Sequence, residues 1–244
     1  MTQTVTQYFM QPYTLSLSSG FFGFFAHAGF CESLSENLPP PAHITGSSAG
    51  ALIGCMIACG LNVSQIKHHL FDMSKVDFWD PSPGLGWLKG QKFRAKLREI
   101  VGQRNFEETD IPFSVSAYHP RKHRTIVLNT GDLIEGVYAS CAVPLLFQPA
   151  RVNGMSLLDG GVLDRPGIAS APIDRPILYH HIHSKSAWRR HVPVPQRKNL
   201  SLVTIPDLPR SGPNRLELGP TIYDEAKRRS DTLWQQEYND QLYI

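Results

Sequence analysis

The chain has 244 residues, 41% of them apolar and 18% charged, with a formal net charge of +3. That is enough apolar material for the core of one large α/β domain. Its scattered Lys and Arg residues exclude the basic stripe that nucleic-acid binding needs, and no run of about 18 apolar residues is present to span a membrane.

The opening stretch, 1–19, has neither a cationic start nor an apolar run. No cleaved secretory signal is expected, so the expected location is cytoplasmic, with export by a route that reads no such signal left open. "YTLSLSS" (13–19) alternates and predicts a first strand. "GFFGFFAHAGFCESLSEN" (20–37) carries an apolar stripe at helical spacing and predicts a helix from Phe22 to Phe25 onward. "PPPAHITGS" (39–47) leads into a second strand, and "SAGALIGCMIACG" (48–60) is apolar all round, as a helix buried against a sheet would be. Gly60 stops that helix, and Asn62 is the expected N-cap of the next, in 62–74.

The turn-rich "DPSPGLGWLKG" (80–90) reads as a connection, with a mobile loop over a cleft as the alternative. An amphipathic helix follows at 91–101, ended by Gly102. Strands in 111–120 and 124–131 joined by "RKH" predict a hairpin, and 132–143 a helix ended by Pro144. "MSLLDGGV" (155–162) is a short strand entering a turn. Further strands are expected in 175–184 and 199–208, and a closing helix in 219–236. Strands alternating with helices favour an α/β sheet covered on both faces. The expected organisation is one domain over 1–244, with no internal repeat.

The four cysteines, Cys31, Cys55, Cys59 and Cys141, form no CxxC pair. Cys55 and Cys59 read as small core residues. His181 and His183 share one face of a predicted strand and could hold a metal, but a lone pair of this kind is more often structural. The densest basic cluster, 186–199, is Pro-rich and reads as a solvated loop, or else as a surface for anionic headgroups or phosphates.

The chemistry concentrates at "GSSAG" (46–50), which fits G-x-S-x-G between a predicted strand and a predicted helix. In that setting Gly46 and Gly50 permit a tight, strained turn that exposes Ser48 Oγ, and the helix start favours a developing negative charge. A packing turn is the plain alternative. A serine needs a base. A Ser–His–Asp triad is one solution, although only one strand precedes Ser48 and no later histidine recommends itself. Asp159, ahead of Gly160 and Gly161, is the other candidate partner, although Asp-Gly is also an ordinary turn pair.

"GSSAG" with "LLDGGVLDRP" about 110 residues later, joined by "SCAVPLLFQPARVNG", resembles the patatin-like phospholipase family over 13–168. The resemblance implies a three-layer α/β/α fold with a mainly parallel sheet. It also implies a lipid acyl hydrolase with a Ser–Asp dyad: Ser48 as nucleophile, Asp159 as base, an acyl-serine intermediate, and no metal, Ca²⁺ or organic cofactor. The partners implied are a phospholipid or other lipid ester and peripheral contact with a membrane surface, without nucleic acid.

The family's glycine-rich oxyanion loop is altered to "SLSSGFFGFFAHAG" (16–29), where the usual basic residue is absent and phenylalanines stand for glycines, as at "GFFG" in some animal triacylglycerol-lipase relatives. The expected donors are the amides of Gly20 and Phe21, with Ala49 as a third. A Phe held at positive φ would cost energy there, and some of Phe21, Phe22, Phe24 and Phe25 are expected to line an acyl channel. Asp164-Arg165 also departs from the family, where an Asn often precedes the proline. Rival readings are a Ser–His–Asp esterase, an acyltransferase, and a non-catalytic member that binds lipid or a partner protein.

Overall fold

A computed structural model describes residues 3–183 and 197–244. The basic cluster at 186–199 lies outside the described residues except for its last three. The chain opens with one helical turn, α1 (Val5–Tyr8), then β1 (Thr14–Leu17), α2 (Phe24–Asn37), β2 (His43–Gly46), α3 (Ala49–Ala58) and α4 (Val63–Phe71). Next come β3 (Gly86–Leu88), α5 (Gln91–Val101), β4 (Phe113–His119), β5 (Arg124–Leu128) and α6 (Leu133–Cys141). Three short strands follow, β6 (Leu145–Phe147), β7 (Ala150–Val152) and β8 (Met155–Asp159). The chain then adds β9 (Ile177–His181), β10 (Leu200–Thr204), α7 (Gly219–Ser230) and β11 (Gln241–Tyr243).

Local chemistry sets the helix ends. Asn62 and Gln65 each accept the other's backbone N–H at 2.9 Å, closing a capping box on α4. Gly60 and Gly102 take φ of 78° and 74° just past α3 and α5. Helix α6 ends at Cys141, ahead of Pro144.

Nine strands form one sheet in the order β11-β10-β9-β1-β2-β4-β8-β7, with β5 also on β4. From β11 to β4 the pairs are parallel; β5, β8 and β7 are antiparallel. Every residue of β1 and β9 is buried, so helices cover both faces, as a parallel sheet requires. The result is the expected mixed α/β architecture, three layers deep with a mainly parallel centre. Helices α2 and α7 pack closely together, with Gly219 against the ring of Phe25.

The connection expected at 80–90 is instead half of a small sheet. Its β3 pairs in parallel with β6, Gly86 opposite Leu145 and Leu88 opposite Phe147. Strands β3, β6, β7 and β11 have three residues each, too few for an alternating pattern to emerge. Tertiary pairing creates them.

Candidate active site

Ser48 sits between β2 and α3 with φ 52° and ψ −116°, a conformation that a side-chain-bearing residue adopts only under constraint. The turn closes because Gly50 passes directly beneath the Leu17 carbonyl, where a Cβ would collide with it. Gly46 lies against Gly50 with equal closeness. Two side chains from the last turn of α6 hold the Ser48 backbone. Its N–H donates to Ser140 Oγ at 2.9 Å, and its carbonyl accepts from Cys141 Sγ at 3.2 Å.

Asp159 ends β8 on the other side of β4. Strand β2 runs parallel to β4 and terminates with Gly46 opposite Val115, whereas β8 runs antiparallel and terminates with Asp159 opposite Ala117. The two ends therefore approach each other head-on at Ser116, separated by β4 alone. A Cβ built on Gly160 would lie 2.9 Å from Ser47 Oγ, so the serine turn and the Asp-Gly-Gly turn are in contact. Asp159 is buried; its N–H donates to the Ala142 carbonyl at 2.9 Å, and its Oδ1 accepts from Gly161 N–H at 2.7 Å. Burial, and then the Asp159 carboxylate, push the Cys141 thiol well above its ordinary pKa. Both candidate residues are thus anchored on one helix end, 139–142.

Beside Ser48 opens a cavity of roughly 220 Å³. Its walls include Phe22, Phe24, Trp79, Phe93, Leu97 and Phe147, and among its lining only Asp77 and Lys96 carry charge. Gly20, Phe21, Ser48 and Ala49 border it together. Among the described residues nothing accepts a hydrogen bond from the amides of Gly20, Phe21 or Ala49. Three donors without an acceptor among the described residues thus belong to residues that border the same cavity as Ser48, and at the start of α3 the helix dipole favours negative charge. Asp159 does not line the cavity.

The loop substitutions have a visible cost. Phe22 stands at φ 55°, the positive-φ position anticipated for this loop, and its ring packs on Phe21, Phe24 and Phe78 with centroids 4.9, 5.5 and 5.8 Å away. Phe21, Phe22 and Phe24 reach the cavity, whereas Phe25 is buried against α7.

A family model described as patatin-like phospholipase matches residues 15–172. The chain belongs to the patatin-like phospholipase family. An uncharacterized NTE family protein of Mycobacterium tuberculosis is 31% identical over 154 residues, covering 62% of this chain and 42% of that protein. An omega-hydroxyceramide transacylase of Mus musculus is 27% identical over 165 residues, covering 62% of this chain and 27% of that protein. The chain therefore spans less than half the length of these curated relatives. The crystal structure of VipD from Legionella pneumophila shares the fold, with a TM-score of 0.52 and 14% identity over 96% of this chain and 72% of that one.

In this patatin-like chain Asp164 and Arg165, where the sequence departs from the family, are both tied down by hydrogen bonds. The Asp164 carboxylate accepts the amides of Gly167, Ile168 and Ala169 at 2.9–3.2 Å and the hydroxyl of Ser116, pinning the segment after Asp-Gly-Gly. The Arg165 carbonyl accepts Ser19 N–H at 2.8 Å, tying that segment to the start of the Gly20 loop.

Among the described residues no histidine lines the cavity. His27 Nε2 donates to the Ser18 carbonyl at 2.8 Å, so its Nδ1 accepts from His180 Nδ1–H at 2.9 Å. Burial lowers the His27 pKa to about 4 and drives that of His180 well down, leaving both neutral. His181 Nδ1 bonds the Tyr179 hydroxyl at 2.7 Å, and His183 borders a separate polar cleft with Arg165 and Arg210. Among the described residues no group of three or more His, Cys, Asp or Glu is placed to hold a metal. Sequence reasoning missed Ser140 and Cys141 as holders of Ser48; the only signal was their place in the "SCAVP" stretch.

Proposed function

We propose that this chain is a lipid acyl hydrolase whose 244 residues act as one patatin-like domain, with Ser48 as nucleophile and Asp159 as base. The observation that carries the reading is a constrained serine at a helix start, facing an apolar cavity that residues with free amides also border. The contact between the two turns supports Asp159 as its partner. Ser48 Oγ attacks the ester carbonyl while its proton passes to the Asp159 carboxylate. The amides of Gly20, Phe21 and Ala49 receive the oxyanion, and the alkoxide leaving group takes the proton back. Water, deprotonated by Asp159, then releases the carboxylic acid from acyl-Ser48. The apolar walls suit the acyl chain of a phospholipid or related ester.

The test is labelling by a fluorophosphonate probe beside p-nitrophenyl butyrate turnover. Ser48→Ala is expected to abolish labelling and lower turnover by at least about a thousandfold. Asp159→Asn is expected to lower turnover by roughly a hundredfold or more. Full activity in Asp159→Asn, with loss on changing a single histidine, would replace the dyad by a triad. Similarity to a protein named a transacylase favours one second reading, transfer of the acyl group to an alcohol. Ester products formed with an added long-chain alcohol, in place of free acid, would establish it.

A further inference from the structure

The small β3–β6 sheet has two sides. Leu88, Leu146 and Phe147 face the cavity beside Ser48. Outward, Leu85 and Trp87 flank Gly86, which pairs with Leu145, so three large apolar side chains share one ribbon with relative exposures of 80%, 70% and 82%. Two more exposed apolar residues belong to the cavity margin: Phe21, which lines it, and Val76, which precedes the lining residue Asp77. Apolar exposure of this density around one opening is unusual on a protein that meets only water.

Leu145 carries a second signal. It holds φ 67° while almost fully exposed. A left-handed leucine is strained by about 1–2 kcal/mol, and in water its side chain recovers nothing by standing outward. The pairing with β3 holds that backbone, and the outward side chain is left for an apolar phase to cover.

Charge complements the patch. Residues 75–99 hold six cations (Lys75, Lys89, Lys92, Arg94, Lys96 and Arg98) against three acids, Asp77, Asp80 and Glu99; Arg94 pairs with Glu135 and Lys96 with Glu99, whereas Lys89 and Lys92 have no ion pair among the described residues. Asp80 is occupied in accepting the amides of Gly90, Gln91 and Lys92 at 2.7–3.1 Å. Lys89 and Lys92 stay exposed on either side of the ribbon's exit into α5. Apolar residues rimmed by free lysines match a bilayer with anionic headgroups.

We propose that the β3–β6 ribbon, with Phe21 and Val76, is the face that seats this protein on an anionic lipid bilayer, so that the cavity opens directly into the membrane. The inference rests on the reading of Ser48 as a lipid-hydrolysing site. On this geometry a lipid ester moves from the bilayer into the cavity along a continuous apolar wall, without crossing water.

The experiment uses the full chain and vesicles of phosphatidylcholine with and without phosphatidylserine, followed by cosedimentation and tryptophan emission. The wild type is expected to bind the anionic vesicles, with a blue shift that Trp87→Phe removes and added salt weakens. The double variant Leu85→Ser/Leu145→Asn is expected to bind at least about tenfold more weakly. Asn accepts positive φ more readily than Leu, so the thermal midpoint should not fall and lost binding cannot be lost folding. Its turnover of p-nitrophenyl butyrate should stay within about twofold of wild type, because neither residue lines the cavity. Equal vesicle binding by the double variant and wild type would overturn the proposal. So would a wild type that ignores both vesicles, or one that dimerises through this face and is made monomeric by the double variant. A wild type that binds vesicles through the ribbon yet turns over no ester would leave the docking face standing and remove the hydrolase reading.

Discussion

Ser48 keeps its unusual backbone because α6 grips both polar groups of its main chain. Removing one grip tests that statement. Ser140→Ala leaves the Ser48 N–H without its acceptor, in a site where an unmet donor costs about 1–3 kcal/mol. The expected outcome is a lower denaturation midpoint together with slower fluorophosphonate labelling. Unchanged labelling would mean that the glycines alone hold the turn. Phe22 poses the opposite balance. Its positive φ costs about 1–2 kcal/mol, but its half-buried ring packs on three others, and each such pair is worth about 0.5–1.5 kcal/mol beyond the area it covers. Packing wins, so Phe22→Gly should destabilise despite relieving the backbone, and a raised thermal midpoint would refute that ordering. Ser48 and its glycines were readable from sequence because one short motif encodes turn, exposure and helix start. Ser140 lies 92 residues away, and no local pattern announces such a contact.

At the scale of elements, the Asp80 carboxylate ties the entry to the β3–β6 ribbon to the start of α5. Asp80 accepts three amides at the start of that helix, and Gly90 takes φ 75° to bring them within reach. Asp80→Ala should cost about 1–2 kcal/mol, as N-cap losses do. It should also raise amide exchange across 86–95 while β1 and β9 stay protected; exchange that rises uniformly would show no local role for the cap. The long elements were legible in the sequence: α2, α3, α5 and α7 carry helical signals over nine or more residues, and α4 carries a capping box. The three-residue strands were not: β3 and β6 exist only through partners far apart in the chain, Gly86 with Leu145, and β7, although it pairs with the adjacent β8, is too short to show an alternating pattern.

Across the whole molecule, the buried histidine pair makes stability depend on pH. His27 has a folded pKa of about 4 against an ordinary 6.5, because burial disfavours its charged form. The unfolded chain therefore takes up the proton first. The stabilisation is complete above pH 6.5 and is lost as pH falls from there towards 4, amounting to about 3 kcal/mol for His27. His181, lowered to about 3, acts in the same direction. The urea midpoint should fall between about pH 7 and about pH 5, before most carboxylates titrate. A midpoint that holds constant over that interval would contradict the assignment of these rings as neutral and enclosed. Sequence alone marked His181 and His183 as sharing one strand face, a structural pair more often than a metal site. What it could not convey is that His27, from the first helix of the sheet, and His180, from the ninth strand, close on each other at 2.9 Å.

The approach of β2 and β8 from opposite directions along β4 bears on how such a chain is made. Ser48 is synthesised more than a hundred residues before Asp159, the base proposed for it. On the proposed chemistry, a nascent chain remains inert towards the lipids around it until β8 docks. On that chemistry the antiparallel docking of β8 on β4 is the step that completes the proposed dyad.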